Sequence, residues 1–214
     1  MRTRRRLPLE ELQPYLFPDT PRGDAPPRID WPSVFGDNNP VEVEVGFGKG
    51  LFLLTAALQT PAVNFFGIEV VRKLQFYTAT RMAVRNLTNV RLACSDASLF
   101  MSARIPDASV QTVHIYFPDP WWKKRHKKRR VFTPEFAQGA ARILQPGGHF
   151  SIASDVEEYF EVMTGIVAAL PLFTEVSRAA EQNQPADEGM TNFERKAHAQ
   201  GRLVQRALYV KTLG

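Results

Sequence analysis

One cysteine, Cys94, stands in 214 residues, so no disulfide can close within the chain and a reducing compartment is its natural setting. Long apolar runs are missing as well. The longest, around Leu51 to Leu58, is about eight residues, against the roughly 20 needed to cross a bilayer as a helix. The arginine-rich start leads into LPLEELQPY, which is no secretory hydrophobic region, so no membrane role and a cytoplasmic location are expected. There is no G-x-S-x-G, and the four histidines (114, 126, 149, 198) have no ligand spacing, which speaks against hydrolase and metal chemistry. Internal repeats and low-complexity tracts are absent too.

Acidic residues are outnumbered, but only locally. The net charge is +5, with 27 Lys and Arg against 22 Asp and Glu. Eleven of the 27 lie in two segments: Arg2, Arg4, Arg5 and Arg6, and the seven cations of Lys123 to Arg130. The other 16 are outweighed by the 22 acids, so the body is acidic and the excess is a concentrated docking surface for a polyanion.

Hydrophobic periodicity divides the chain at about residue 40. Residues 1–40 are rich in proline and arginine and read as an irregular arm or linker. Residues 41–214 alternate: strands at 41–45, 64–70, 90–96, 110–117 and 149–154, with helices at 51–58, 71–87, 133–144 and 156–170. Thr133 and Pro134 suit an N-cap and first helical turn. Two last strands, 173–177 and 203–211, are expected to pair without a helix between them. The pattern predicts an α/β fold: a Rossmann-like, doubly wound, mostly parallel sheet of seven strands ending in an antiparallel hairpin, with helices on both faces. Composition leaves both a monomer and a weak homodimer open.

VEVEVGFGKG puts Gly46, Gly48 and Gly50 where the first strand turns into a helix. The dinucleotide fingerprint G-x-G-x-x-G requires glycine where Leu51 stands, and a Walker loop is absent, so a pyrophosphate cradle is poorly supported. Three acids follow in register. Glu44 precedes the glycines, Glu69 ends the second strand where it can accept from ribose hydroxyls, and Asp96 ends the third, where a nucleobase would lie. As plain chemistry these acids are either helix caps or the frame of a cationic nucleoside without phosphates. S-adenosylmethionine is such a ligand.

The stretch IYFPDPWWKKRHKKRRVF, residues 115–132, follows the fourth strand. Pro118 and Pro120 restrict φ and remove two donors, so Asp119 sits on a stiff tip. Trp121 and Trp122 offer faces for a base, one of them equally suited to the core. The basic run after them predicts salt-sensitive nucleic-acid binding.

With GFGKG, GIEV, SD at 154–155 and TNFE at 191–194, PDPWWKKRHKKRR resembles the bacterial single-subunit tRNA (guanine-N7)-methyltransferases, over roughly residues 41–211. The resemblance implies transfer of a methyl group from S-adenosylmethionine to N7 of a guanine in the variable loop of tRNA. It implies that Glu44, Gly46, Gly48, Glu69, Asp96 and Asp119 bind the cofactor or frame its methyl group, Asp119 being catalytic. It assigns the target guanosine to Lys123, Asp155, Thr191, Asn192, Phe193 and Glu194, and RNA to Arg125, His126, Lys127, Lys128, Arg129 and Arg130. Two positions depart from the family. Asn192 replaces a usual lysine, whose charge Arg195 can supply, and Trp122 replaces a residue that is often polar. The competing readings are a non-catalytic RNA-binding module on a degenerate sheet, opposed by the intact acid set, and an NAD-dependent oxidoreductase, opposed by Leu51.

Overall fold

A computed structural model describes residues 7–19, 26–121, 125, 129–181 and 192–212. Short helices α1 (Leu9–Leu12) and α2 (Trp31–Phe35) precede an alternating body. Its first half runs β1 (Val41–Val45), α3 (Leu51–Gln59), β2 (Asn64–Glu69), α4 (Arg72–Ala83), β3 (Val90–Cys94) and α5 (Ala97–Arg104). Its second half runs β4 (Val110–Tyr116), α6 (Pro134–Ile143), β5 (Leu144–Ser154), α7 (Glu157–Ala168), β6 (Phe173–Glu181), α8 (Asn192–Ala199) and β7 (Val204–Lys211).

The seven strands form one sheet in the order β3-β2-β1-β4-β5-β7-β6. β7 is antiparallel to both neighbours, and the other described pairings are parallel. Strand order reverses direction between β1 and β4, the point at which open sheets of this kind leave a crevice. Because β1 to β5 run the same way, the loops that follow them emerge along one edge.

Both faces are covered, and the strands show it residue by residue. Val41, Val43 and Val45 of β1, with Phe66 and Ile68 of β2, pack into the core beneath α5, α6 and α7. Phe65 faces the other way, into the cluster of Leu53, Leu54, Ala79 and Met82 from α3 and α4. This is the period-two pattern of a strand buried on both sides. Full burial of a side chain such as Phe66 contributes about 1.5–3 kcal/mol. On the α3 side the even residues of β1 are Glu42 and Glu44, in register with Phe65 and Gly67 of β2 and with Thr112 and His114 of β4.

The described parts of the first 40 residues join this core. Leu12 and Tyr15 are buried with the α3–α4 cluster, and Phe17, Ile29 and Trp31 with the opposite one. Phe17 also donates its backbone N–H to the Leu92 carbonyl at 2.9 Å, which covers the exposed edge of β3.

Three local details differ from the sequence expectations. The PGG turn lies inside β5 as a bulge: the pairing jumps from Val110–Leu144 to Thr112–His149, with Gly147 at φ +77°. α5 is a helix that the hydrophobic pattern does not predict. Asp96 caps it, accepting from the Leu99 N–H at 3.0 Å. The last two strands do have a helix between them, α8, and this corrects the expected direct connection. Ala197 of α8 is fully buried against Phe117, Ala153 and Val204, and such packing rather than intrinsic propensity stabilises a helix of eight residues.

Candidate active site

The turn from β1 to α3 is built around glycine. Gly46, Gly48 and Gly50 have φ of +75°, +53° and +61°. At Gly50 the need is also steric, since a Cβ there would lie 2.2 Å from Thr78 Cγ2. The loop is fastened on both sides. The Gly46 N–H donates to the Ile68 carbonyl at 2.8 Å, and the Thr78 hydroxyl donates to the Gly48 carbonyl at 3.2 Å.

The loop bounds an open cavity of about 430 Å³, lined among others by Glu44, Gly48, Phe52, Tyr116 and Arg195. Glu44 is only 3% exposed, and its Oε2 has no hydrogen-bond partner. Burial, with the Glu69 charge adding to it, pushes the Glu44 carboxyl up to about 8. A buried acid in the wall of a cavity, with one oxygen left unpartnered, is the complement of a cationic ligand that has donors to offer. The residues therefore fit a positively charged nucleoside.

The other two acids have different jobs already. Glu69 accepts the Gly48 N–H at 3.0 Å through Oε2 and the Val71 N–H at 2.9 Å through Oε1. It thus orders the glycine loop while keeping a second lone pair on each oxygen. Asp96 is exposed and caps α5 through one oxygen. Both stand at the same edge as Glu44, Glu69 at the end of the adjacent β2 and Asp96 just after β3, one strand further out.

The PDP tip leaves β4 with its backbone strained at both ends. Phe117 and Trp121 have φ of +52° and +43°, the left-handed region, and each such residue costs on the order of 1–3 kcal/mol. Phe117 is tied down by its N–H, which donates to the Ala153 carbonyl at 2.8 Å. Asp119 is exposed between them. Arg130 donates through Nε to the Pro120 carbonyl at 2.7 Å, and its guanidinium lies 4.7 Å from the centre of the Tyr159 ring. Arg129 lies 5.1 Å from the Trp121 ring.

Asp155, at the end of β5, forms an ion pair with Arg202, and its side chain is 12% exposed. Arg125 is exposed. Lys123, His126, Lys127, Lys128 and Thr191 lie outside the described residues. Asn192, Phe193 and Glu194 open α8, at the same edge of the sheet as the glycine loop.

Several residues at this site had no signal in the linear sequence. Lys196 of α8 lines the cavity, beside Arg195, which the sequence offers as a charge in place of lysine at 192. Beneath it a half-buried polar chain crosses three strands. His114 Nε2 lies 2.8 Å from Glu42 Oε2 and its Nδ1 2.8 Å from the Tyr116 hydroxyl, which lies 2.9 Å from Ser151 Oγ. Phe52 packs on both rings, 4.6 Å from His114 and 5.1 Å from Tyr116. Only the strand register brings Glu42 and His114 together, 72 residues apart.

A doubly wound sheet with an antiparallel last strand, a glycine turn after β1 and a buried acid with one unpartnered oxygen beside it define a Rossmann-like methyltransferase. A family model described as "Putative methyltransferase" matches residues 38–207. Relatives called tRNA (guanine-N(7)-)-methyltransferase include one from Rhodopirellula baltica, 37% identical over 88% of this chain and 72% of the relative. Another, from Vibrio cholerae, is 37% identical over 87% of this chain and 79% of its own length. The chain belongs to the tRNA (guanine-N(7)-)-methyltransferase family. Among solved structures the 16S rRNA methyltransferase KamB shares the fold, with a TM-score of 0.66 at 15% identity, covering 86% of this chain and 93% of that one. A 16S rRNA (adenine(1408)-N(1))-methyltransferase from Catenulisporales acidiphilia, with cosubstrate SAM, does so at a TM-score of 0.61 and 16% identity, covering 86% and 90%.

Proposed function

We propose that this protein methylates N7 of a guanine in the variable loop of tRNA, in a cytoplasmic setting. S-adenosylmethionine, when bound, supplies an electrophilic methyl group on a sulfonium. Attack by the N7 lone pair would form the N–C bond and leave the S–C electron pair on sulfur, so no proton would have to be removed. The work left to the protein is alignment and the handling of charge.

The observation that carries this reading is the buried Glu44 carboxyl beside the glycine loop, whose Oε2 has no hydrogen-bond partner. It receives the cationic end of the cofactor. Glu69, already ordering Gly48, offers its remaining lone pairs to the ribose, and Asp96 lies at the next strand end toward the base. Asp119 faces the developing positive charge on the purine, as a fixed carboxylate should. Asp155, Lys123 and residues 191–194 hold the guanosine. Arg195, which lines the cavity, supplies the charge that Asn192 lacks. Arg125 and the basic residues around it hold the tRNA backbone.

The test is incubation with methyl-labelled S-adenosylmethionine and an unmodified tRNA transcript, followed by nucleoside analysis. Labelled 7-methylguanosine is the expected product. Label in another nucleoside, or none with a folded protein, overturns the reading.

A further inference from the structure

We propose that Arg130 is a positioning residue for Asp119, bracing the PDP tip from behind instead of gripping RNA. The proposal rests on the methyl-transfer reading of the site. By its place in KKRHKKRR this arginine is one more phosphate contact, yet its guanidinium is turned inward. Its Nε–H is given to the Pro120 carbonyl at 2.7 Å and its plane lies over Tyr159, a ring only 1% exposed.

The tip needs such a brace. Pro118 and Pro120 have no N–H to give, and Phe117 and Trp121 both adopt the left-handed conformation that the chain leaves readily unless held. The Phe117 N–H anchors the entry to the tip on β5, and Arg130 anchors its exit. Arg130 is well placed for this because the next two residues, Val131 and Phe132, re-enter the core, Phe132 being 2% exposed. Arg129, over Trp121, adds a second contact to the same segment. Burial raises the Tyr159 pKa and the Asp119 charge adds a smaller push in the same direction, so brace and acid share one neighbourhood.

A lysine cannot replace this contact. The interaction combines a directed N–H with a planar cationic face, and an ammonium offers a point charge in place of both. Arg130→Lys therefore keeps the charge that tRNA would feel and loses the brace. In single-turnover methyl transfer at saturating tRNA, R130K should be slower by about 10- to 100-fold, the scale of a small misplacement of a reacting group. Its tRNA affinity and the salt dependence of that affinity should match the parent protein. Arg125→Ala, by contrast, should flatten the plot of log affinity against log salt by about 0.7–0.9 for the phosphate contact removed. Tyr159→Leu, with Tyr159→Phe as the conservative variant that restores the ring, should reproduce the rate loss. Amide hydrogen exchange at Phe117, Asp119 and Trp121 should rise in R130K whether or not turnover is measured. A parent protein that makes no 7-methylguanosine defeats the functional reading. Unchanged exchange and an unchanged single-turnover rate in R130K, or a flattened salt plot in Arg130→Ala, defeats the brace.

Discussion

Glu44 and Glu69 stand at the ends of adjacent parallel strands, and the charge of Glu69 reinforces the burial that holds the Glu44 carboxyl protonated at neutral pH. Glu69 is the acid whose two oxygens are already committed to backbone N–H groups. Glu44 is the one with an oxygen to spare. The two acids therefore differ in state, one shaping the loop and the other keeping an unpartnered oxygen.

The pH dependence of stability follows from that division. A folded pKa of about 8 lies above the usual 4.5, so the native state binds a proton that the unfolded chain releases over this window. Stability attributable to Glu44 is complete below pH 4.5 and falls as pH rises through about 8. Denaturant unfolding of the cofactor-free protein at pH 6 and pH 9 should show the loss, and Glu44→Gln should flatten it. A parent protein equally stable at both values contradicts the assignment.

Cofactor binding should expel that proton. A cation placed against Glu44 favours the carboxylate, so at pH 7 calorimetry in buffers of different ionisation enthalpy should show release of about one proton per cofactor bound. Glu44→Gln should abolish the buffer dependence attributable to this group. Its affinity should drop by roughly 10- to 100-fold, as expected when a hydrogen bond to a charged group is weakened. Proton release that persists in E44Q assigns the effect elsewhere.

Gly50→Ala tests the steric basis of the loop. The new methyl group would lie 2.2 Å from Thr78 Cγ2 on backbone that disfavours side chains. Overpacking of this kind costs roughly 1–3 kcal/mol. Thermal unfolding should register the loss together with weaker cofactor binding, and Thr78→Ala should recover part of it by removing the Cγ2 and hydroxyl atoms in the way.

Asp119→Ala is expected to lower methyl transfer by about 100- to 1000-fold, the scale of losing one fixed electrostatic group at a reacting centre. Binding of tRNA should remain, because Asp119 is exposed at a tip and adds no positive charge to the docking face. Full turnover in D119A removes it from the mechanism.

By itself the amino-acid order determined the alternating elements, the seven-stranded sheet, the glycine turn, and the strand ends that carry Glu44, Glu69, Asp96 and Asp119. Those features depend on neighbours a few residues apart: period-two burial, proline and glycine at turns, and Thr133 before Pro134 as a cap. Tertiary structure decided the features that depend on distant partners. It placed Phe17 against β3 and Phe66, and it set His114 against Glu42 across two strands. It also folded α8 over the cavity and tied Asp155 to Arg202. Arg130 is the sharpest case, since a string of cations carries no sign of which one turns inward. That choice depends on the Pro120 carbonyl and the Tyr159 ring, which come to one place only when the sheet has assembled.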